Sequence, residues 1–280
     1  MKIIIHGGFV GESLTDPETR KAKQHSLSRI VEQAYTYLKT HTAAETVVYA
    51  VRLLEDDPLF NAGLGSHIQS DGKIRLSASL MDGRNQKFSG VINLENVKNP
   101  IAVAAQLMPY DDRVLSGEGA QAFARANGHD FFNPVIPQRQ HEYNEKLNLH
   151  DRKGTVGCVA LDAEGNIAAA TSTGGKGFEI PCRVSDSATV AGNFANAYAG
   201  ISCTGVGEDI VSGALAAKIV TRVTDGFSLR AACDKSFDEL KAFDGFAGVI
   251  GIAANGDMYH CDSHPTMVWA SFDVNLQVFN

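Results

Sequence analysis

The sequence predicts an α+β protein built as a four-layer αββα sandwich, in which two stacked sheets are covered by helices on both outer sides. Two observations lead to this prediction. The C-terminal half has the order strand, strand, helix, helix, strand, strand, and the N-terminal half has strands and helices of its own. The 280 residues are long enough to bury a full core, and we predict a single domain.

The composition excludes several classes of protein. Hydrophobic residues make up 44% and charged residues 20% of the chain, which is ordinary for a soluble globular protein. The net charge of −7 gives no attraction for nucleic acid or for an anionic membrane, and no apolar run is long enough to span a bilayer. The five cysteines are spread out without a C-x-x-C pair. We therefore expect a cytoplasmic, enzyme-like protein without structural disulfides or a zinc cluster.

The N-terminal half contains clear starts for its elements. An apolar run at 2–5 predicts a strand that leads into a tight turn at His6-Gly7-Gly8. Thr42 and Glu45 form a capping box for a helix. The predicted helices are 17–39, 43–54, one beginning at Asn99-Pro100, and 116–126, and the predicted strands are 74–81 and 88–92.

Residues 132–153 are polar and charged, contain two prolines, and are predicted to be a flexible linker. The elements expected after this linker are a strand hairpin at 155–161 and 167–173, helices at 209–223 and 229–243, and a second hairpin at 246–253 and 257–261.

Thr155 follows Gly154 at the boundary between the charged segment and a buried strand. A threonine often begins a strand, because its branched side chain suits the pleat. The alternative is an N-terminal nucleophile, since cleavage of the Gly154–Thr155 bond would free an α-amino group with an ordinary pKa near 8 as the base. Gly154 suits such a cut because it has no Cβ and tolerates strained dihedrals.

Other polar residues gain a possible role if Thr155 is a nucleophile. The hairpin brings Thr173 beside Thr155, although Thr173 also suits an ordinary strand end. The stretch Ser202–Gly207 precedes a helix and can direct N–H groups at an oxyanion or simply cap that helix. In the loop PCRVSD, Arg183 and Asp186 can bind a carboxylate and an ammonium, or form a surface ion pair.

Several other functions find little support. The chain has no G-x-S-x-G, H-E-x-x-H or Walker A motif, and Gly205-Val-Gly207 lacks the spacing of a dinucleotide fingerprint. His260, Asp262 and His264 would share one face of a strand and could ligate a metal, which is the less favoured interpretation because short His/Asp runs arise by chance.

Together these stretches resemble the plant-type asparaginase and isoaspartyl aminopeptidase family of N-terminal-nucleophile hydrolases over nearly the whole chain. The matching stretches are HGG at 6–8, PLFNAGLGS at 58–66, SASLMDG at 77–83, GTVGCVALDAEGNIAAATSTGG at 154–175, PCRVSD at 181–186 and SCTGVGE at 202–208.

The resemblance implies autocleavage into an α chain of residues 1–154 and a β chain of residues 155–280. Thr155 would attack the side-chain amide of asparagine or the isopeptide bond of a β-aspartyl dipeptide, without a catalytic cofactor. The resemblance also implies roles for the other residues: Thr173 would assist the nucleophile, Thr204 and Gly205 would form the oxyanion hole, Arg183 would bind the α-carboxylate, Asp186 and the Gly207 carbonyl would bind the α-amino group, and Asn61 would orient the new amino group.

The same family implies a sodium ion and a dimer of αβ units. The sodium would lie in the loop from Leu54 to Leu64, on backbone carbonyls: Leu54, Glu55, Phe60, Ala62 and Leu64.

Some positions depart from the family pattern. HGGFVG replaces HGGAG, Cys182 and Ser185 stand where glycines are usual, Val206 lies between the glycines of the oxyanion loop, and TMVWAS replaces a MYRG-like tail. These changes leave the substrate preference open. The alternatives are a related enzyme acting on glycosylated asparagine or on proteins, and an unprocessed, inactive relative that serves as a binding protein.

Overall fold

The computed structural model describes residues 1–9, 16–145, 154–243, 245–264 and 267–279. Its strands are β1 (Lys2–Phe9), β2 (Leu76–Asp82), β3 (Lys87–Leu94), β4 (Val114–Ser116), β5 (Val156–Leu161), β6 (Ile167–Thr173), β7 (Asn193–Ala195), β8 (Ala199–Gly205), β9 (Ala247–Ala253), β10 (Met258–Asp262), β11 (Met267–Phe272) and β12 (Leu276–Val278). Eight strands form one sheet in the order β12-β11-β1-β5-β6-β2-β3-β4, and four form a second sheet in the order β10-β9-β8-β7. Only the β3–β4 pair of these strands is parallel.

Helices cover the outer face of each sheet. They are α1 (Pro17–Leu38), α2 (Ala43–Glu55), α3 (Pro100–Gln106), α4 (Gly117–Ala126), α5 (Pro137–Asn144), α6 (Gly207–Gly213), α7 (Leu215–Thr224) and α8 (Leu229–Leu240). The large sheet is covered by α1, α2 and α3, and the small sheet by α7 and α8. The two sheets pack on each other through contacts such as those of β5 with β8 and of β2 with β7. The predicted four-layer αββα sandwich is confirmed.

Local sequence signals set the starts of the two longest helices. Asp16 accepts hydrogen bonds from the N–H groups of Glu18 and Thr19, and Pro17 occupies the first turn of α1. Thr42 and Glu45 form the predicted capping box, in which each side chain bonds the other residue's backbone N–H. The buried face of α2 then lies over the central strands β5 and β6.

The central hairpin determines where the candidate site lies. Every residue of β5 and β6 is buried, since both faces of the large sheet are covered. Val156 pairs with Ser172, so the start of β5 and the end of β6 meet at one edge of the sandwich. Residues 154–155 and 173–175 therefore come together there.

Several elements differ from the sequence prediction, which did not include the strands β4, β7, β8, β11 and β12. The predicted turn at residues 6–8 is wrong, because β1 continues to Phe9 with an irregularity between His6 and Phe9. The single helix predicted at 209–223 is two helices, divided at Ala214, whose backbone is left-handed with φ 48°. The segment predicted as a flexible linker contains α5, which begins at Pro137. The last part of that segment, 146–153, lies outside the described residues.

No helix in the described ranges has both the length and the apolar character that a bilayer crossing requires.

Candidate active site

Thr155 and Thr173 lie side by side at the open edge of the central hairpin. The Thr155 hydroxyl donates to Thr173 Oγ1 over 3.2 Å, and both side chains are buried. Thr173 Oγ1 lies 3.3 Å from the Gly154 carbonyl oxygen, to which it donates, and it accepts from the Gly175 N–H. The hydroxyl of Thr155 is thus linked through Thr173 to the carbonyl of the peptide bond that precedes it.

Asn61 holds the same carbonyl from the other side. Its Nδ2 donates to Gly154 O over 2.7 Å and to Gly175 O over 2.5 Å. Its Oδ1 accepts from the His67 N–H, which fixes the orientation of the amide. An added Cβ at Gly154 would lie 2.9 Å from the Asn61 Cβ, so only glycine fits this close approach.

Thr204 and Gly205 end β8 at the same edge. Thr204 is fully buried, and among the described residues its hydroxyl has no hydrogen-bond partner. Gly205 has φ 137°, and a Cβ there would collide with the carbonyl oxygen of Phe246. A hydroxyl and a backbone segment held in this way are suited to receiving an oxyanion, because no rearrangement is needed when the charge develops.

Arg183 is held by a residue that sequence reasoning did not single out. Its Nε and Nη2 donate to Glu208 Oε1 and Oε2 over 2.9 and 2.8 Å, and Lys176 Nζ lies 3.2 Å from Oε1. The side-chain hydrogen bond and the charge of Arg183 lower the pKa of Glu208 to about 2, against the opposing effect of desolvation by burial. The expected ion pair at this loop therefore exists, but its acid is Glu208 and not Asp186.

Asp186 lies beside this pair in a different environment. It is 3% exposed, and Oδ2 has no hydrogen-bond partner within the described part of the chain. Burial raises the pKa of Asp186 to about 7, although the charge of Arg183 acts in the opposite direction. A Cβ at Gly207 would lie 2.6 Å from Arg183 Nη2 and 2.8 Å from Asp186 Oδ1, so this glycine lets both groups approach the helix start.

A buried polar chain runs behind the two threonines. His6 Nε2 lies 3.0 Å from Ser202 Oγ, which lies 2.6 Å from Thr171 Oγ1. Burial lowers the pKa of His6 to about 3, and a hydrogen bond with the Thr155 backbone partly opposes this shift, so the ring is neutral at pH 7. Gly157 leaves room for this contact, since a Cβ there would collide with Ser202 Oγ and His6 Nε2.

The loop predicted to hold sodium is tightly folded around carbonyl groups. A Cβ at Gly63 would lie 2.5 Å from the Glu55 carbonyl oxygen, and one at Gly65 would collide with that of Phe60. The Ala62 carbonyl accepts one backbone N–H and retains a second lone pair, whereas the Leu54 carbonyl accepts the N–H groups of Asp56 and Asp57. A set of carbonyl oxygens suits a hard cation, so these residues fit the predicted ion.

The alternative metal site on β10 finds no support. Among the described residues, no three His, Cys, Asp or Glu side chains are grouped so that they could hold a metal ion. His260 stacks on Trp269 with ring centroids 3.9 Å apart, and His264 packs against Phe246.

Most of the predicted residues therefore surround one small cavity, whose lining does not include Asn61 or Thr204. It is lined by Gly154, Thr155, Thr173, Arg183, Asp186, Gly205 and Gly207, and it encloses about 20 Å³. That volume holds about one water molecule. Sequence reasoning missed Glu208, His6 and Ser202. The position of Glu208 in the first turn of α6 could have drawn attention to it. Acidic residues at that position, however, usually stabilise the helix through its dipole.

Comparison with known proteins identifies the family of this chain. The layering is consistent with the sandwich fold of the N-terminal-nucleophile hydrolases, and the protein is a hydrolase. The family model described as asparaginase (Asparaginase_2) matches residues 1–277, and the chain belongs to this family.

Curated relatives cover most of the chain. It is 44% identical to an isoaspartyl peptidase/L-asparaginase of Synechocystis, over 96% of this chain and 87% of the relative. It is 37% identical to the isoaspartyl peptidase of Escherichia coli, over 91% and 88%. It is 34% identical to a plant-type L-asparaginase of Pyrococcus horikoshii, over 91% of each chain.

Proposed function

We propose that this protein is an autocatalytically processed threonine hydrolase that cleaves β-aspartyl dipeptides and converts L-asparagine to aspartate and ammonia. The observation that carries the proposal is the convergence on the Gly154 carbonyl. Thr173 and Asn61 lie 3.3 and 2.7 Å from it, and the Thr155 hydroxyl bonds Thr173. The names of the relatives support the substrate class.

Processing begins when Thr155 Oγ attacks the Gly154 carbonyl carbon. Asn61 would polarise that carbonyl, and the Gly154–Thr155 C–N bond breaks as the nitrogen takes up the hydroxyl proton. Water then hydrolyses the ester and leaves Thr155 with a free α-amino group. The 20 Å³ cavity is too small for asparagine, so removal of Gly154 from the cavity wall would also open the site to substrate.

In turnover the same hydroxyl attacks the side-chain carbonyl of the substrate. The α-amino group of Thr155 takes the hydroxyl proton and then gives it to the departing ammonia or amine. Water then hydrolyses the aspartyl ester, which releases aspartate and restores the Thr155 hydroxyl. Thr204 and Gly205 would hold the oxyanion. Arg183 would bind the α-carboxylate, while Asp186 and the Gly207 carbonyl would bind the α-ammonium, whose charge would lower the raised pKa of Asp186.

The carbonyls of Leu54, Glu55, Phe60, Ala62 and Leu64 would hold a sodium ion. Bound there, the ion would rigidify the loop that carries Asn61, without entering the reaction. We also propose that the αβ unit forms a dimer and acts in the cytoplasm, and molecular mass from light scattering tests the dimer.

The intact mass of the purified protein tests the proposal directly. We expect two fragments that meet at Gly154–Thr155, and a Thr155→Ala variant that stays whole and hydrolyses neither substrate. A chain that stays uncut and inactive would instead favour a binding role. Processing in the variant would remove Thr155 from the mechanism.

A further inference from the structure

The wall of the candidate active site contains a buried hydroxyl that the proposed mechanism does not use. Ser185 is 5% exposed and lines the same cavity as Thr155 and Arg183. Within the described part of the chain, its Oγ has no hydrogen-bond partner. Ser185 is also a position at which this sequence departs from the family pattern, where glycine is usual. A buried hydroxyl without a partner is energetically unfavourable, so a ligand that supplies the partner gains affinity.

We propose that the Ser185 hydroxyl donates a hydrogen bond to the α-carboxylate of the substrate, beside Arg183. The proposal rests on the proposed function, because it adds an uncharged donor to the place where Arg183 would bind that carboxylate. The α-carboxylate is free in L-asparagine and in every β-aspartyl dipeptide, so Ser185 would contribute to the recognition of both.

The local backbone leaves this hydroxyl unused. Ser185 has an extended conformation, with φ −87° and ψ 167°, and precedes a short 3₁₀ turn at Asp186–Ala188. A serine in this position ordinarily accepts a hydrogen bond from a backbone N–H of the turn, as Ser228 accepts one from Ala231 at the start of α8. Ser185 makes no such bond. Its hydroxyl is therefore free to bind a ligand.

Arg183 and Ser185 lie on the same side of their loop. Both residues line the cavity, whereas Val184 between them is 52% exposed. This alternation is typical of an extended chain, in which residues two positions apart point in the same direction. A group bound by the Arg183 guanidinium therefore lies on the side of the loop that carries the Ser185 hydroxyl.

The balance of donors and acceptors favours the carboxylate over the ammonium. An ammonium has only donors, and the unpartnered Asp186 carboxylate and the Gly207 carbonyl already offer it acceptors. A carboxylate has only acceptors and needs donors, but Glu208 already engages Nε and Nη2 of Arg183. A hydroxyl donor beside the guanidinium thus supplies what the carboxylate lacks.

Ser185→Ala in the processed protein tests the proposal, because it removes only the hydroxyl. We expect KM for L-asparagine to rise about tenfold while kcat changes less than twofold, since the lost hydrogen bond is present in both the bound substrate and the transition state. For β-aspartyl-leucine, kcat/KM should fall by the same factor, because the acyl part is the same.

A substrate without the carboxylate locates the effect. β-Alaninamide is L-asparagine without its α-carboxylate, so Ser185→Ala should leave its kcat/KM unchanged. Where its turnover is too slow to follow, its inhibition constant against L-asparagine hydrolysis gives the same comparison. A loss on β-alaninamide as large as the loss on L-asparagine overturns the inference.

Ser187→Ala is the matched control. Ser187 lies in the same turn and is fully buried with an unpartnered Oγ among the described residues, but it is not part of the cavity lining. We expect its KM values to equal those of the unaltered protein. Ser185→Gly is a second variant without the hydroxyl and should match Ser185→Ala.

Thermal unfolding separates a ligand contact from a structural one. Ser185→Ala should not lower the Tm of the substrate-free protein, because the hydroxyl has no protein partner to lose. A lower Tm with an equal loss on all substrates gives Ser185 a structural role and contradicts the assignment. An unchanged KM for L-asparagine in both Ser185 variants overturns only the inference. If the unaltered protein hydrolyses neither L-asparagine nor β-aspartyl-leucine, the proposed function fails as well.

Discussion

The ion pair of Arg183 with Glu208 shows how one residue can prepare another for substrate. The two hydrogen bonds to Glu208 use the Nε–Nη2 edge of the guanidinium, and so leave Nη1 and the second Nη2 hydrogen available. Arg183 is 15% exposed at its side chain, whereas Glu208 is 51% exposed. We interpret Glu208 as a positioning residue that holds the guanidinium from its solvent side.

Glu208→Gln should therefore raise KM for L-asparagine several-fold and leave kcat nearly unchanged. The amide cannot accept two charge-assisted hydrogen bonds from Arg183, so the guanidinium loses its fixed orientation. Steady-state kinetics of the processed protein measure both constants. Glu239→Gln is a matched control, because Glu239 also binds an arginine and a lysine (Arg222 and Lys218), but between α7 and α8. A lower KM in Glu208→Gln would show that Glu208 competes with the substrate carboxylate instead.

Asp186 carries a cost in stability that depends on pH. Its pKa is about 7 in the folded chain and near 3.9 when unfolded, so the folded state holds the proton more tightly. Relative to the ionised carboxylate, the folded state is therefore fully stabilised below the unfolded pKa, where Asp186 is protonated. This stabilisation is lost as the pH rises through the folded pKa. Asp186→Asn removes the ionisation. We expect thermal unfolding to show a gain in stability over the parent that is larger at pH 8 than at pH 5. A gain that is the same at both pH values would show that Asp186 does not titrate in this range.

At the scale of elements, the start of β5 depends on close packing between the two sheets. Gly157→Ala would place a methyl group against Ser202 Oγ and His6 Nε2, and it would disrupt their hydrogen bond behind Thr155. We expect a loss of about 2–4 kcal/mol from overpacking and the lost hydrogen bond. Thermal unfolding and the rate of appearance of the two fragments measure the effect. Gly119→Ala is the control, since a Cβ on this helical residue meets no atom within 4 Å.

The elements also show which features a sequence can reveal. The capping box at Thr42 and Glu45 is a local signal, and the helix begins where it predicts. The hairpin of β5 and β6 is equally local, and its register brings Thr155 to Thr173. The glycines of β1 led to the wrong prediction of a turn at residues 6–8. They are needed there because other parts of the chain pack closely against them. A Cβ at Gly7 would collide with Phe60, and one at Gly8 would lie against Thr155.

Tertiary contacts also explain the site residues that were missed. Glu208 and Arg183 are 25 residues apart, and His6 and Ser202 are 196 residues apart, so no spacing rule joins them. The helix α5 lies within a polar segment, and its Arg139 is buried because its Nε and Nη1 donate to Gly65 O and Glu142. Such pairings can be recognised only in the folded structure, where the layers are in contact.

At the scale of the molecule, the proposed cut would fall between two chains that are interleaved in one sheet. β1 of the N-terminal part lies between β11 and β5 of the C-terminal part, and β2 pairs with β6. Separation would break three antiparallel ladders at once. We expect the cut protein to elute from a gel-filtration column at the volume of the uncut Thr155→Ala variant, and to separate into fragments only in denaturant. Fragments that elute apart under native conditions would contradict this topology.

The interleaved sheet gives the proposed cleavage a consequence for refolding. The uncut chain can bring β1 between its neighbours by closing loops within one molecule, at a rate independent of protein concentration. After the cut, an unfolded α chain has to find an unfolded β chain before the eight-stranded sheet can be completed, so renaturation becomes a bimolecular reaction. The cut protein would then regain its fold slowly at low concentration, and its working lifetime would be governed by how rarely it unfolds.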